Sequence, residues 1–128
     1  MLALILAATL SGGSCANPSI ISTRVQSVTT NSGLNHYTLA VVVQNIGTVR
    51  QPSNLLQSVE VFQDGDKVGQ MGLQPLRPHQ SQTVTYGFNR SADSGTGTTL
   101  LTFVLVFKGP TGSSVDCHAG NETAAFSV

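Results

Sequence analysis

The sequence has no tryptophan, two cysteines and, among its charged residues, only two lysines and two glutamates in 128 residues. Charged residues make up 9% of the chain, against roughly 25% in an ordinary soluble protein. Six positive charges balance six negative ones. A nucleic-acid footprint needs clustered Lys and Arg, so that partner class is excluded. The same scarcity excludes a polybasic membrane-surface binder. No apolar run approaches the roughly 20 residues of a membrane-spanning helix. There is no Gly-rich phosphate loop, no G-x-S-x-G elbow and no paired-carboxylate pattern. The length excludes two full domains and any large enzyme scaffold. What remains is 40% hydrophobic and rich in neutral polar groups, with 14 Ser, 14 Thr and 9 Gln. That balance suits a folded chain rather than a disordered one.

All twelve charges follow residue 23. Before them, Leu2–Leu10 reads LALILAATL and is followed by the small residues Ser11 to Ala16. An apolar stretch of this length before small residues matches a secretory leader, although no Lys or Arg precedes it. We expect residues 1–16 to be a signal peptide or lipoprotein-type leader, and residues 17–128 to be one folded domain. The leader makes three fates for the cysteines conceivable. A cut before Asn17 removes Cys15 and leaves Cys117 a lone thiol. A cut before Ser14 keeps both, and they could pair in an oxidising compartment. Lipid attachment at Cys15 would tether the chain to a membrane, though Gly12 stands where lipoprotein signals prefer a Leu-like residue.

Apolar residues recur with period two, the mark of half-buried strands. Tyr37, Leu39, Val41 and Val43 form one face, Val84, Tyr86 and Phe88 a second, and Leu101, Phe103, Leu105 and Phe107 a third. The alternate face of the third run (Leu100, Thr102, Val104, Val106) is also largely apolar, which predicts a central strand. Val59 and Val61 mark a shorter strand, Ile21, Thr23 and Val25 a first one, and Ala125, Phe126 and Val128 a last one. Asp64-Gly65 is a hairpin signal, because Gly tolerates the positive φ of a tight turn. Gly/Pro/Ser/Asn clusters punctuate the rest. The pattern predicts seven strands, at 20–29, 36–45, 57–63, 67–73, 82–88, 98–107 and 122–128. Such spacing predicts an all-β fold, an immunoglobulin-like β-sandwich of about seven antiparallel strands in two sheets. If strands alternate in direction, Cys15 and Cys117 precede the first and seventh strands at one end of the sandwich. A Cys15–Cys117 disulfide is then geometrically reasonable.

Four segments resemble CARDB-like domains, immunoglobulin-like modules related to bacterial cell-adhesion domains. Leu39-Ala40-Val41-Val42-Val43-Gln44-Asn45-Ile46-Gly47-Thr48 is similar to their V-x-V-x-N-x-G-T signature. Val59 to Gly69 resembles their strand, Asp-Gly turn and strand. Leu76-Arg77-Pro78-His79-Gln80-Ser81-Gln82-Thr83-Val84 resembles L-x-P-G-Q-S-x-T-V, with His79 where the family usually has Gly. Gly120 to Val128 resembles the closing N-x-T strand. The resemblance covers about residues 18–128. It implies a non-catalytic module, often repeated or appended to larger exported proteins.

Candidate chemistry is sparse. His36, His79 and His118 have no sequence partners arranged for acid–base work. Asp116-Cys117-His118 is the one dense polar cluster, but neighbours on an extended chain point to opposite faces, so it reads as a loop or strand entry. Asp64-Gly65-Asp66 lacks the further oxygen ligands of a calcium loop. Asn89-Arg90-Ser91 and Asn121-Glu122-Thr123 match the glycosylation sequon, as chance allows in such a chain. We therefore expect no catalytic residues, no metal and no cofactor. The expected role is a monomeric binding, adhesion-type or structural module of the bacterial envelope or secretome. It would be secreted, periplasmic or at the cell surface, with a protein or glycan partner. Loops 46–57 and 89–98 are the expected contact sites. The alternatives are a carbohydrate-binding module, or a small inhibitor or accessory domain of an exported hydrolase. The first would need exposed aromatics, and Tyr37 and Tyr86 sit on core-facing patterns.

Overall fold

The structure is a computed structural model, and it describes residues 15–93, 97–108 and 123–128. Seven strands follow one another: β1 (Pro18–Asn31), β2 (Leu34–Asn45), β3 (Leu56–Gln63), β4 (Asp66–Leu73), β5 (Ser81–Ser91), β6 (Leu100–Lys108) and β7 (Thr123–Ser127). They form an antiparallel three-stranded sheet, β1-β2-β5, and an antiparallel four-stranded sheet, β4-β3-β6-β7. No helix occurs among the described residues. The chain changes sheet between β2 and β3, between β4 and β5, and between β5 and β6. This is an immunoglobulin-like sandwich in which β4 pairs with β3 rather than joining the sheet of β1, β2 and β5. As expected, β6 is central, lying between β3 and β7.

Alternation places the core. Leu39, Val41 and Val43 of β2 and Val84 and Phe88 of β5 point inward from one sheet. Val59 and Val61 of β3, Leu73 of β4 and Leu101, Phe103 and Leu105 of β6 point inward from the other. Each fully buried large apolar side chain contributes about 1.5–3 kcal/mol, so this cluster drives the two sheets together. Tyr37 and Phe88 lie opposite each other on β2 and β5, with ring centroids 6.1 Å apart and tilted by 36°. They close the far end of the core.

The first strand departs from a simple alternation. Its register with β2 shifts between Ile20 and Ser22 and again between Val25 and Ser27. Each bulge inserts one unpaired residue, which reverses which side chains face inward. Ile21, expected on the same face as Thr23 and Val25, is one of these inserted residues and is 49% exposed. β1 is an edge strand, and bulges at an edge hinder pairing with a second chain.

Two hairpins follow the turn chemistry. Ser32 (φ 54°) and Gly33 (φ 78°) join β1 to β2, and Asp64 (φ 51°) and Gly65 (φ 92°) join β3 to β4. Two successive residues at positive φ make the turn whose twist matches that of the strands. The remaining positive-φ residue outside glycine is His79, at 66°. This is the position where the CARDB-like pattern that the segment resembles has Gly, and the left-handed region is one where a Cβ meets the neighbouring carbonyl. The β4–β5 connection keeps that conformation with a histidine because both of its backbone groups are tied. His79 N–H donates to Asn45 O at 2.7 Å, and Gln44 Nε2 donates to His79 O at 3.0 Å.

One end of the sandwich is closed by polar groups. Asn45, the last residue of β2, is fully buried. Its Oδ1 accepts from Asn17 N–H (3.0 Å) and Gly47 N–H (2.9 Å). Its Nδ2 donates to Val49 O (2.9 Å) and Leu76 O (3.1 Å). A carboxamide has two donor hydrogens and two acceptor lone pairs, so all four are used. Beside it, Gln51 and Gln57 exchange amide hydrogen bonds of 3.0 and 2.8 Å. Gln51 Oε1 also accepts from Leu76 N–H at 2.8 Å, and Gln57 Nε2 also donates to Gln74 O at 2.7 Å. Gln57 shares the inward face of β3 with Val59 and Val61, so this pair caps the core directly. No buried side-chain nitrogen or oxygen among the described residues lacks a partner.

The strained turn yields a prediction. Replacing His79 by Gly relieves about 1–2 kcal/mol of left-handed strain, less about 0.5–1 kcal/mol of added backbone entropy. H79G should therefore stabilise the fold by up to about 1.5 kcal/mol, read as a raised urea midpoint. A lowered midpoint would mean that the imidazole itself supports the loop.

Candidate functional site

Loop 46–57 is divided between the interior and the surface: Ile46, Thr48, Arg50, Ser53, Asn54 and Leu56 are exposed. Gln51 and Leu55 are buried, at 0% and 3% exposure, and Gly47 is buried beneath the segment that enters β1. Leu55 N–H donates to Pro52 O at 3.0 Å, closing a single turn within the loop. Residues 89–91, expected to open the second contact loop, instead extend β5. Arg90 donates to Val128 O at 2.7 Å and to Gly97 O, and Ala92 N–H donates to Gly33 O at 3.0 Å. Both segments are thus tied to the sandwich at these residues. Residues 94–96 of the second loop lie outside the described residues.

An open groove lies instead on the outer face of the four-stranded sheet. Because Gln57, Val59 and Val61 point inward, Ser58 and Glu60 point outward. Val106 of β6 and Gly72 of β4 flank Ser58, and Gln70 of β4 stands opposite Glu60. The groove has a volume of about 480 Å³ and is lined mainly by Leu56, Ser58, Glu60, Lys67, Gln70 and Val106. That volume falls within the usual range of ligand clefts, about 300–1,000 Å³. Gly72 lies on this face, and a Cβ added there would meet nothing within 4 Å. Leu56 at one end is 68% exposed.

Charge in the groove is confined to one cross-strand pair. Lys67 Nζ donates to Glu60 Oε2 at 3.0 Å and to Gln70 Oε1 at 2.9 Å. The lysine is 46% exposed and the glutamate 21%, so solvent screening leaves the pair about 0–1 kcal/mol. The lining thus offers amide, hydroxyl, ammonium and carboxylate groups beside an aliphatic strip.

The residues singled out for chemistry do not converge. His36 is the third residue of β2, and its Nδ1 lies 2.8 Å from Asn89 Oδ1 on β5. His79 sits beside Gln44 near the other end of β2. Eight residues at about 3.3 Å each separate the two ends by about 26 Å. Asp64 and Asp66 flank the β3–β4 hairpin tip, where the turn conformation accounts for Asp64-Gly65. Among the described residues, no three His, Cys, Asp or Glu side chains are grouped to hold a metal ion. Cys15 is half-buried and disulfide-bonded. Cys117, with Asp116, His118 and the sequon at Asn121, lies outside the described residues.

Sequence reasoning missed the buried carboxamides. Gln51 and Gln57 look like surface residues, since nothing local tells a buried glutamine from an exposed one. The period-two pattern does contain a signal for Gln57, which occupies an inward position two residues before Val59. Asn45 stood out as the Asn of the V-x-V-x-N-x-G-T resemblance, but not as the partner of three separate segments. The groove carries no local signal beyond Gly72 inside a strand, a known mark of close approach or open space.

No family model matches this chain, and neither does any curated protein. Among solved structures, it is similar to the crystal structure of a CARDB domain from Pyrococcus furiosus in complex with di-metal ions. The similarity has a TM-score of 0.62 at 16% sequence identity, over 91% of this chain and 89% of the other. The shared feature is the fold: like that CARDB domain, the chain is an immunoglobulin-like sandwich, with seven antiparallel strands in two sheets and no helix among the described residues.

A double-mutant cycle of Lys67→Met and Glu60→Gln should give a coupling energy below about 1 kcal/mol in chemical denaturation. A larger coupling would show the pair to be a structural tie rather than groups free to regroup around a ligand.

Proposed function

We propose that this chain is a non-catalytic, exported binding module of the bacterial envelope or secretome, and that it engages its partner through the outer face of the four-stranded sheet. The observation that supports this reading is the groove opened at Gly72 between Leu56, Val106 and the Glu60–Lys67–Gln70 array. Its hydrogen-bonding groups are neutral apart from one internally balanced pair, so recognition there rests on shape and hydrogen bonds rather than on bulk charge. The CARDB-type fold agrees with a module of this kind, while function on any fold is decided by its sites.

A protein partner fits the groove better than a glycan. Sugar sites commonly stack rings on exposed aromatic side chains. Here Tyr37 and Tyr86 are half-buried against the core, and no aromatic residue lines the groove. The aliphatic strip of Leu56 and Val106 suits apolar side chains of an extended peptide segment, with Ser58, Gln70 and Glu60 facing its polar groups. The module works as a secreted, periplasmic or surface-exposed monomer and needs no cofactor.

The test uses binding to defined surfaces. Purified chain should co-sediment with intact bacterial cells and not with isolated cell-wall polysaccharide. Gly72→Val, which fills open space and favours a strand, should weaken that binding about tenfold, equivalent to about 1.4 kcal/mol, without lowering the thermal midpoint. Binding to polysaccharide alone would favour the carbohydrate-binding reading. Failure to bind either surface, together with turnover of chromogenic ester, peptide or glycoside substrates, would replace the proposal with an enzymatic one.

A further inference from the structure

The segment entering β1 is built into the sandwich before the first strand begins. Ala16 is fully buried, Asn17 is 7% exposed, and Pro18 is also fully buried. Asn17 N–H donates to the buried Oδ1 of Asn45, and Asn17 O accepts from Ile46 N–H at 2.9 Å. Gly47 packs directly on this backbone. A Cβ on Gly47 would lie 2.5 Å from Cys15 O, 2.7 Å from Asn17 N and 3.0 Å from the Ala16 carbonyl carbon. These are backbone atoms, which cannot swing aside, so the β2–β3 loop is shaped to the course of residues 15–17. The sulfur of Cys15 is already committed to a disulfide, and the sequence has one other cysteine, Cys117.

We infer that leader processing occurs on the N-terminal side of Cys15, at Gly13–Ser14, so that the mature domain keeps Cys15 as a disulfide with Cys117 rather than as a lipid anchor. The inference rests on the export reading above. Three physical arguments carry it. First, a cut before Asn17 would turn its buried amide into an ammonium with three protons, where the amide now presents one to Asn45 Oδ1. Burying a charge without matching partners is costly. Second, the same cut would remove Ala16 and Cys15, the surface on which Gly47 rests. Third, a lipid anchor needs a thioether at Cys15, and one sulfur cannot hold both a thioether and a disulfide. Ser11 and Gly13 supply the small residues three and one positions before a Gly13–Ser14 cut.

The chemistry balances in two steps. Water hydrolyses the Gly13–Ser14 peptide bond, leaving a carboxylate on Gly13 and an ammonium on Ser14. The two cysteine thiols then lose two protons and two electrons to form the S–S bond. A protein disulfide of the oxidising compartment accepts them and becomes a dithiol.

Intact-mass spectrometry of the full chain, expressed in a bacterium with a periplasm, tests this. The expected product is periplasmic, begins at Ser14, and takes up two alkyl groups from iodoacetamide only after reduction. An exported product beginning at Asn17, a lipid mass on Cys15, or alkylation without reduction would overturn this inference alone. An uncut chain retained in the cytoplasm would overturn it together with the export reading.

Discussion

The carboxamide of Asn45 is the point on which one end of this molecule is hung. Strands supply their own hydrogen bonds, but the connections that cross between sheets do not. Three stretches meet at this end without a ladder: the lead-in to β1, the β2–β3 loop and the β4–β5 loop. Each brings backbone groups into a region that water does not reach. One side chain with two donors and two acceptors answers four of those groups at once, at distances of 2.9 to 3.1 Å. Leaving a buried polar group unmet costs about 1–3 kcal/mol, so the arrangement favours a fully occupied hub over several partial ones. Neither Asp nor Leu could occupy the position, since one lacks the donors and the other lacks both kinds of group. The Gln51–Gln57 pair extends the same logic by one residue depth into the core.

This hub draws parts of the end loops into the interior. In many sandwiches the end loops are free to carry binding groups. Here the β2–β3 loop gives Gln51 and Leu55 to the interior, and Gly47 fits against the lead-in to β1. The β4–β5 loop gives Gln74, Leu76 and His79 backbone groups to the same network. At the other end, Arg90 spends its guanidinium on carbonyl groups of Gly97 and Val128. The outer face of the four-stranded sheet carries an open groove. There, a glycine near the end of β4 leaves room between aliphatic and hydrogen-bonding side chains. Its weak ion pair can be rearranged at little cost.

Much of the fold was legible because strand physics is local. The inward faces of β2, β5 and β6 were written in strict alternation, and the Asp64-Gly65 turn declared itself by residue type. The same reading misplaced Ile21, because a bulge breaks the alternation without leaving a residue signature. It also gave no sign that Gln51 and Leu55 of loop 46–57 turn inward. The burial of Gln51 depends on Gln57 and Leu76, which lie 6 and 25 residues away, and no local pattern encodes such a meeting. His79 is the converse case. Its departure from the Gly of CARDB-like sequences was visible at once, but its meaning emerged only with a φ of 66° held by two backbone hydrogen bonds.

The central claim is that three separate segments form one cooperative unit through Asn45. Native-state hydrogen exchange followed by NMR measures this directly at the amides of Asn17, Gly47, Gln51, Leu76 and His79. If the hub joins them, all five exchange only through global unfolding, at the same free energy as the core amides of β2 and β3. If they instead open independently, at free energies several kcal/mol below the core and differing from one another, the segments are merely adjacent and the account is wrong.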